Sequence, residues 1–361
     1  MKKDCLIVTM FSKTETSYRW HYIRALEEKN KLYDIVFFDR YLTDQSDSDN
    51  EFVFKKYCPT GGSKIKKIGT MLEYAAYVRR LLKTNQYRSV IVLTTVPAVF
   101  LYDVLIRRFK EKYILDIRDY TYEHVALYRK MVGKLIEHSF MTVISSKGFK
   151  RFLPDRYSYV VTHNIPDLTR VKSTSGKTGH KPIQIGFVGS IRYFEENKKI
   201  IRDFMDDPQF SLHYYGTMTN DCDLQEYCKT LGCRTVFFHG RFDNSEKEKI
   251  YSQIDIINSI YGDFGLETST AVPNRFYDAA LYHCPIIVSK GTYLAELVEE
   301  YKLGFAVDVF HEDIHKKLTE YLSSFDKEVF DYGCSRLLAD VKEDMNTFNH
   351  RIFEFIEATE K

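Results

Sequence analysis

A short stretch near residue 275 combines a cation and a carboxylate at helical spacing. Pro273 and Asn274 are residue types that begin helices, and Arg275 and Asp278 follow on one face of the predicted helix. An arginine in the first helical turn can hold a phosphate, and a carboxylate one turn later can accept both hydrogen bonds of a ribose diol. A surface ion pair at i, i+3 has the same spacing, so this pair alone leaves both interpretations open.

A glycine-containing turn provides a second candidate anion site. The apolar run IGFV ends at Gly189 and Ser190, and Arg192 and Lys198 follow around the start of a predicted helix. Glycine lets a backbone approach a ligand closely, and a helix N-terminus presents free N–H groups with partial positive charge. Arg192 can donate charge-assisted hydrogen bonds to a phosphate. A tight turn with a solvated arginine is the plainer interpretation.

Candidates for proton transfer follow another apolar run. The sequence YILDIRD places Asp116, Arg118 and Asp119 at the end of a predicted strand, with His124 shortly after. A carboxylate or an imidazole can orient and deprotonate an attacking hydroxyl. We predict Asp119 as the first choice for this role and His124 as the second. Alternatively, Asp119 caps the following helix and pairs with Arg118.

Metal-binding patterns are weak in this sequence. Two Asp-x-Asp pairs, Asp47 with Asp49 and Asp221 with Asp223, lie in polar stretches that we interpret as solvated loops. Cysteines 222, 228 and 233 are too widely spaced for a CxxC zinc site. We expect all seven cysteines to be reduced thiols. The sequence predicts no metal site and no cofactor.

Short apolar runs alternate with longer amphipathic segments, which is the pattern of parallel sheets with crossover helices. The runs are almost continuously apolar, as expected for strands covered on both faces. Ligands of such sheets bind beyond the carboxyl ends of the strands. The predicted strands are 5–10, 34–39, 89–95, 112–118, 140–146 and 159–162 in the first half, and 182–189, 210–216, 235–240, 254–261, 285–289 and 305–309 in the second.

The polar stretch 167–181, DLTRVKSTSGKTGHK, has no hydrophobic periodicity and separates the two series of strands. Its composition is typical of a linker. We therefore predict an α/β protein with two doubly wound domains. The first domain is 1–166 and the second is 182–335, with a C-terminal helix at 336–361.

The chain is almost neutral, at +2, but its charge is uneven. Residues 51–112 contain 13 Lys or Arg and 4 Asp or Glu, and the basic side chains run from 55 to 112. This basic region, 55–112, would be attracted to an anionic lipid surface by about 1 kcal/mol per basic residue. Solvated helix surfaces would give the same composition. Nucleic acid is disfavoured because the total charge is small and no nucleic-acid-binding motif is present.

Hydropathy argues against a membrane span. The longest uncharged run, 89–102, has fourteen residues and contains Pro97, whereas a spanning helix needs about 20 apolar residues. The first residues, MKKDCLIVTMF, have an apolar run too short for a signal peptide. We expect a cytoplasmic chain, with the basic region available to the inner face of a membrane.

The segment PNRFYDAALYHCPIIVS resembles the helix–strand signature of the GT-B glycosyltransferases, especially the GT4-like enzymes of bacterial surface-polysaccharide synthesis. The usual pattern there is Pro-Asn-Lys, an apolar and an aromatic residue, then Glu, followed by Ala-Gly-polar-Pro-Val-Val. Arg275 stands at the Lys, and Asp278 at the ribose-binding Glu. His283 and Cys284 replace the Gly-polar pair before Pro285.

Four further stretches are similar to the same family, in the same order along the chain. IGFVGSIRYFEEN resembles the first strand and phosphate loop of the donor domain, and LHYYGTMTN, with Gly216, the loop near the nucleotide base. VFFHGRFDNSEKEKIYSQIDIINSIYG resembles the following strand, helix and strand. YILDIRDYTYEH and MTVISSKGFKRFLP resemble the acceptor-domain strands.

The resemblance implies the GT-B fold, two Rossmann-like domains with parallel sheets and a cleft between them, with the last helix packing back on the first domain. It implies transfer of a sugar from a nucleotide-diphosphate sugar to a saccharide acceptor, lipid-linked in this reading, in capsule, exopolysaccharide or O-antigen synthesis. Retention of the anomeric configuration is implied as well. Glu267, 11 residues before Asp278, is the only counterpart of the family's sugar-proximal Glu. The donor-binding residues implied are Gly189, Ser190, Arg192, Lys198, Gly216, Glu267, Asn274, Arg275 and Asp278.

Departure of a nucleoside diphosphate builds negative charge in the transition state, and fixed positive charge aimed at it is the expected main catalytic contribution. Arg192, Lys198 and Arg275 can supply that charge without a metal. Two other functions remain open. A sugar-nucleotide 2-epimerase shares the architecture, but the sequence shows no acid and base grouped around a donor sugar. A non-catalytic sugar- or partner-binding subunit is suggested by His283, Cys284 and the incomplete Glu pair.

Overall fold

The computed structural model describes residues 3–44, 46, 48–59, 64–165, 181–219, 223–262 and 265–360, apart from the side chains at 17, 64 and 65. The chain divides into two compact units. The first unit is Met1–Asn164 together with Glu343–Lys361, and the second unit is Ile165–Lys342. Of the predicted linker 167–181, all but the last residue lies outside the described residues.

The first unit is built on a parallel sheet of seven strands in the order β3-β2-β1-β4-β5-β6-β7. Every residue of its central strands β1, β4 and β5 is buried, which explains their unbroken apolar sequences. The strand order reverses between β1 and β4, so the connections that leave the carboxyl ends of these two strands run in different directions. The strands are β1 (Cys5–Thr9), β2 (Tyr33–Asp39), β3 (Glu51–Lys55), β4 (Ser89–Leu93), β5 (Tyr113–Ile117), β6 (Met141–Ile144) and β7 (Val160–Val161).

Helices cover both faces of this sheet. They are α1 (Trp20–Glu28), α2 (Lys64–Thr84), α3 (Thr95–Phe100), α4 (Tyr102–Arg107) and α5 (Ala126–His138). Helices α2 to α5 bury their apolar side chains in one core cluster, and α1 contributes to the cluster on the opposite face. Both faces of the sheet are therefore dry, and polar groups concentrate at the strand ends.

The second unit has a parallel sheet of six strands in the order β10-β9-β8-β11-β12-β13. The strands are β8 (Ile183–Val188), β9 (Phe210–Tyr215), β10 (Val236–Gly240), β11 (Ile256–Ser259), β12 (Ile286–Ser289) and β13 (Gly304–Val307). The order reverses between β8 and β11, which makes the carboxyl ends of these two strands the expected ligand site of the unit.

In the described part of the second unit, seven α-helices precede the last helix of the chain. They are α6 (Phe194–Phe204), α7 (Leu224–Leu231), α8 (Lys247–Tyr251), α9 (Leu266–Thr270), α10 (Asn274–Leu281), α11 (Tyr293–Glu300) and α12 (Ile314–Ser323). Helices α6, α7 and α12 share one core cluster with β8 and β9. Helices α10 and α11 pack on β11, β12 and β13.

A long last helix, α13 (Lys327–Ala358), belongs to both units. Its part up to Lys342 lies in the second unit, and its part from Glu343 lies in the first. Phe348, Ile352 and Phe355 are fully buried in the core of the first unit, beside α1. The helix completes a face of the first sheet that α1 alone leaves open.

The predicted fold class is confirmed: the chain forms two α/β units with all-parallel sheets. Each of the twelve predicted strands corresponds to an observed one. The structure adds β3, whose single short run EFVFK carries charges at both ends and lacks a clear strand pattern. Helices α9 and α12 follow β11 and β13, and helices α3 and α4 meet at Leu101. Among the described residues, no helix is long and apolar enough to cross a membrane.

Candidate active site

Arg275 is the central cation of the second unit. It lies in the first turn of α10 and is 9% exposed. Nε donates to Ser259 Oγ at 3.1 Å, and Nη1 donates to the carbonyl oxygen of Val188 at 3.0 Å. The guanidinium carbon lies 4.0 Å from the ring centroid of Phe187. Burial lowers the pKa of Arg275, but an arginine remains a cation at neutral pH. The sequence thus places a desolvated positive charge where β8 and β11 end.

Two glycines bring the backbone close to this cation. A Cβ at Gly189 would lie 3.1 Å from Nη1 of Arg275. A Cβ at Gly216 would lie 1.8 Å from the carbonyl oxygen of Gly189, a distance that no side chain tolerates. Gly216 also has a φ of +140°, which favours glycine. The ends of β8 and β9 therefore approach each other tightly beside Arg275.

The N-terminus of α6 follows the Gly189 turn. Arg192 is exposed, and its Nε lies 3.4 Å from Ser190 Oγ, which is exposed as well. Lys198 lies one turn into the helix, where Nζ donates to Glu195 at 2.9 Å and rests 4.9 Å from the ring centroid of Phe194. Of the two predicted phosphate-binding cations of this helix, Arg192 is solvated and Lys198 is held by an i, i+3 ion pair.

The side chain of Asn197 stabilises this turn through hydrogen bonds to its backbone. It is fully buried, and its Nδ2 donates to the carbonyl oxygens of Arg192 and Tyr193 at 2.7 and 2.9 Å. Its Oδ1 has no hydrogen-bond partner among the described residues. The turn at the start of α6 therefore contains a buried amide oxygen that receives no hydrogen bond from the described residues.

Asp278, predicted to hold a ribose, is 3% exposed and already engaged. Its two carboxylate oxygens accept from Lys247 Nζ at 2.9 and 3.1 Å, and Oδ2 also accepts from Tyr251 Oη at 2.8 Å. Neither partner could be assigned from the sequence, because Lys247 is 31 positions away. Sequence reasoning offers only the general rule that a carboxylate, if buried, requires a cation, and this rule does not say which one.

Glu267 and Asn274 are both exposed. Glu267 lies in the first turn of α9, and Asn274 is the first residue of α10, immediately before Arg275. The chain between β11 and α9 includes residues 263–264, which are not described. The structure therefore brings Gly189, Gly216 and Arg275 together, with Asn274 next to Arg275 in sequence.

A tyrosine pair near Arg275 was not predicted. Tyr193 precedes the first residue of α6, and its ring stacks on that of Tyr261 with centroids 5.5 Å apart and planes inclined by 23°. Burial raises the pKa of Tyr193, and the charge of Glu267 acts in the same direction. Arg192 and Arg275 act on this phenol in the opposite direction. The positive charges of both arginines therefore favour the ionised form of the same hydroxyl group.

In the first unit, Asp116 and Arg118 form a buried pair at the end of β5. Arg118 Nε lies 2.7 Å from Asp116 Oδ1, and Nη2 donates to Oδ2 at 2.7 Å. Tyr22 Oη also donates to Oδ2 at 2.7 Å, and the guanidinium lies 4.3 Å from the Tyr18 ring centroid. Burial alone would lower the pKa of Arg118, but Asp116, Tyr22 and Tyr18 together raise it above its ordinary value. The pair is electrically neutral and fixes the end of β5.

The predicted proton-transfer residues follow this pair. Asp119 is exposed and comes two residues after the end of β5. His124 is exposed too, with the rings of Tyr120 and Tyr122 at centroid distances of 6.2 and 6.4 Å. Helix α5 starts later, with Val125 as its N-cap. The carboxylate in contact with Arg118 is that of Asp116.

Metal-ligand clusters are not found in the described part of the chain, where no group of three or more His, Cys, Asp or Glu side chains could hold an ion. Asp47 and Asp221, one aspartate of each Asp-x-Asp pair, lie outside the described residues.

Solved structures share this architecture over nearly the whole chain. Sucrose-phosphate synthase from Thermosynechococcus elongatus has a TM-score of 0.74 at 10% identity, over 98% of this chain and 100% of that one. HepE from Anabaena, in complex with UDP, has a TM-score of 0.68 at 14% identity, over 98% and 100%. The lipopolysaccharide outer core galactosyltransferase WaaB, in its apo form, has a TM-score of 0.66 at 16% identity, over 98% and 99%.

No protein-family model and no curated protein sequence matches the chain. At 10–16% identity, the structural likeness establishes the fold, which is the GT-B fold expected from the sequence. The chemistry has to be argued from the residues of this chain.

Proposed function

We propose that this chain is a glycosyltransferase that uses a nucleotide-diphosphate sugar and binds it in the second unit, around Arg275. The observation that supports this most is the state of that arginine. It is buried, and its hydrogen bonds go to a hydroxyl and a carbonyl rather than to a carboxylate. A buried charge is costly unless an opposite charge accompanies it. A diphosphate bound at this point would supply the missing negative charge.

Arg275 is also suited to catalysis. A fixed cation in a water-poor site stabilises a departing diphosphate more strongly than a solvated one, because the local dielectric constant is lower and the group needs no reorganisation. The glycines at 189 and 216 allow the phosphates to approach the backbone. Ser190, Arg192 and Lys198 at the start of α6 would add donors, with Lys198 exchanging Glu195 for a phosphate. We propose metal-independent transfer on this basis.

The remaining donor contacts follow the family resemblance. We propose that Asp278 binds the ribose while it keeps Lys247 in place, since a carboxylate can accept about four hydrogen bonds and the described residues supply three. Glu267 and Asn274 would face the sugar and the phosphates. HepE, of the same fold, has been solved with UDP and glucose and with UDP-glucose, so uridine nucleotides are the first donors to test.

For the acceptor, we propose that Asp119, or else His124, orients and deprotonates the attacking hydroxyl. Both are exposed beyond the carboxyl end of β5. The acceptor would be a lipid-linked saccharide of capsule, exopolysaccharide or O-antigen synthesis, transferred with retention of configuration. The likeness to WaaB, a lipopolysaccharide galactosyltransferase, agrees with such an acceptor.

We also propose that the chain works at the cytoplasmic face of a membrane, with the basic region as its contact. Within α2, Lys66 and Arg80 are exposed, and Ile68 and Leu72 are exposed apolar residues one helical turn apart. Basic and apolar side chains on one exposed helix are typical of helices that lie in a lipid interface.

The Arg275→Lys variant tests the donor site. It keeps the charge but loses the planar fork, and a charge-assisted hydrogen bond is worth about 1.5–3 kcal/mol, so we expect affinity for UDP or GDP to fall at least about tenfold. Titration calorimetry with each nucleotide measures this, and Arg275→Ala should abolish binding. Arg234→Ala, an exposed arginine in the same unit, is the matched control. Wild-type affinity in both Arg275 variants would remove Arg275 from the site.

A non-catalytic binding subunit is the second candidate. The contacts that Asp278 already makes with Lys247 and Tyr251 favour considering it, because that carboxylate has a structural role without any ligand. Labelled nucleotide sugars distinguish the two candidates. Binding without hydrolysis or transfer, over a panel of lipid-linked and free saccharides, would favour the binding subunit.

A further inference from the structure

Tyr193 adopts a backbone conformation that tyrosine rarely takes. Its φ and ψ are 64° and 71°, in the left-handed region. For a bulky residue this conformation is unfavourable, and it persists only where the surrounding structure imposes it. Glycine would occupy the position without cost. The presence of an aromatic side chain here therefore requires an explanation from what the ring does.

The ring is held in one place. It stacks on Tyr261, which is 5% exposed, and whose backbone N–H donates to Ser289 Oγ at 3.0 Å. The Tyr193 carbonyl accepts from Asn197, so the turn is fixed from below. Tyr193 itself is only half-buried. One side of the ring is anchored, and part of the side chain remains exposed.

The Tyr193 ring lies beside the proposed donor site. Its stacking partner Tyr261 comes two residues after Ser259, whose hydroxyl accepts from Arg275, and Tyr193 directly follows Arg192 in the chain. The charges of Arg192, Arg275, Glu267 and Glu196 act on its hydroxyl group. The arginines are assigned to the diphosphate, and Glu267 to the sugar. Asn197 Nδ2 donates to the carbonyl oxygens of both Arg192 and Tyr193, so one buried side chain holds these two neighbouring residues in place.

We propose that Tyr193 is a specificity-determining residue that contacts the donor at the junction of the diphosphate and the transferred sugar. Its hydroxyl donates a hydrogen bond to the sugar-bearing phosphate, and its ring, backed by Tyr261, covers the adjoining sugar. The left-handed turn is retained because it directs the side chain to this point at the N-terminus of α6. This assignment rests on the proposed donor site and adds a residue to which the sequence resemblance assigns no role.

Two variants test the assignment. Tyr193→Phe removes only the hydroxyl, and we expect about tenfold weaker binding of a nucleotide sugar, the loss of one hydrogen bond to a charged group. Tyr193→Gly removes the ring and relieves the backbone, so we expect a larger loss of affinity with a thermal midpoint within a few degrees of wild type. The probes are UDP and UDP-glucose, with GDP and GDP-mannose as the second pair, measured by calorimetry on the full chain.

Lys302→Gly is the matched control for backbone relief. Lys302 also has a positive φ, 56°, and it is exposed in the same unit. It lies after the end of α11, away from Arg275 in sequence. We expect this variant to raise the thermal midpoint by a few degrees at most, and to leave nucleotide binding unchanged.

The comparison of nucleotide with nucleotide sugar decides the outcome. Tyr193→Phe should weaken the nucleotide and the nucleotide sugar alike, because both carry the phosphate that accepts from the hydroxyl, whereas Tyr193→Gly, which also removes the ring over the sugar, should weaken the nucleotide sugar more. Equal losses for the two ligands in Tyr193→Gly, or unchanged affinity in Tyr193→Phe, overturn the junction assignment while leaving the donor site intact. If the wild-type chain binds none of the four probes, the donor site itself is wrong and the Tyr193 assignment is wrong with it.

Discussion

Two buried arginines differ in whether a carboxylate pairs with their charge, and this difference indicates a structural role for one and a binding role for the other. Arg118 is neutralised by Asp116 in a two-point contact, so its charge is satisfied within the fold. Arg275 is as deeply buried, but its hydrogen bonds go to neutral groups. The next carboxylate on its helix, Asp278, is paired with Lys247. A charge that the described residues leave without a salt bridge is the better candidate for binding an anionic ligand.

Removing Arg118 should therefore affect stability. In Arg118→Met, Asp116 stays buried, and Tyr22 is the one side-chain donor that the described residues leave to it. Breaking a buried pair in this way costs about 3–5 kcal/mol. The urea unfolding transition of the first unit should move to a correspondingly lower concentration. Arg107→Met, at an exposed arginine of the same unit, should unfold like wild type. A loss below about 1 kcal/mol would show that water already solvates Asp116.

The sequence allowed the cations of the site to be chosen but not their partners. Arg275 and Gly189 stand in patterns that imply a ligand, because residue type and position at a strand or helix end carry the information. Lys247, Tyr251 and Tyr261 became visible only through contacts between distant segments. The left-handed turn at Tyr193 had no signal at all, since the residue usually found in such a conformation is glycine.

At the scale of elements, the strands were predictable because the sheets are covered on both faces. Each buried strand is a short apolar run, and the runs identify β1, β4, β8 and β11 to within two residues at each end. Elements without such a run were missed: β3 is half-exposed, and α9 has only five residues. His283, at the position where the family pattern has glycine, follows the C-cap of α10 with a φ of 50°, in the left-handed region that favours glycine.

The contact between α13 and the end of α11 depends on a missing side chain. A Cβ at Gly333 would lie 1.8 Å from the carbonyl oxygen of Tyr301. Gly333→Ala should therefore push the helix away and destabilise the second unit by about 1–3 kcal/mol. Gly133→Ala in α5 is the matched control, because nothing lies within 4 Å of its Cβ, and it should stabilise the first unit by about 0.5–1 kcal/mol. Equal effects in denaturant titrations would contradict the close approach.

At the scale of the whole molecule, composition indicated where basic residues concentrate along the chain, but it did not indicate what those residues bind. The excess of Lys and Arg in residues 51–112 is a fact of the sequence. The structure shows that part of this charge is locally neutralised, since Lys56 pairs with Glu73 and Arg79 with Asp103. Lys66 and Arg80 remain exposed on α2, together with Ile68 and Leu72.

Membrane association can be tested on these exposed residues. In a double variant, Lys66→Ala with Arg80→Ala, binding to vesicles with anionic lipid should weaken by about 2 kcal/mol, or about thirty-fold. Binding should also fall with added salt. The control is the same double change at Lys316 and Lys317 of α12 in the second unit. If both double variants sediment with vesicles like wild type, the basic region is not the contact.

The first unit consists of two separate segments of the chain, and this affects how the protein folds during translation. Phe348, Ile352 and Phe355 fill its core beside α1, yet the whole of the second unit is encoded between residue 164 and that segment. The nascent first unit leaves the ribosome with one face of its sheet incompletely covered, and it stays so while the second unit is being translated. During that interval the open apolar surface is a binding site for chaperones, and a truncation before Glu343 would make this transient exposure permanent.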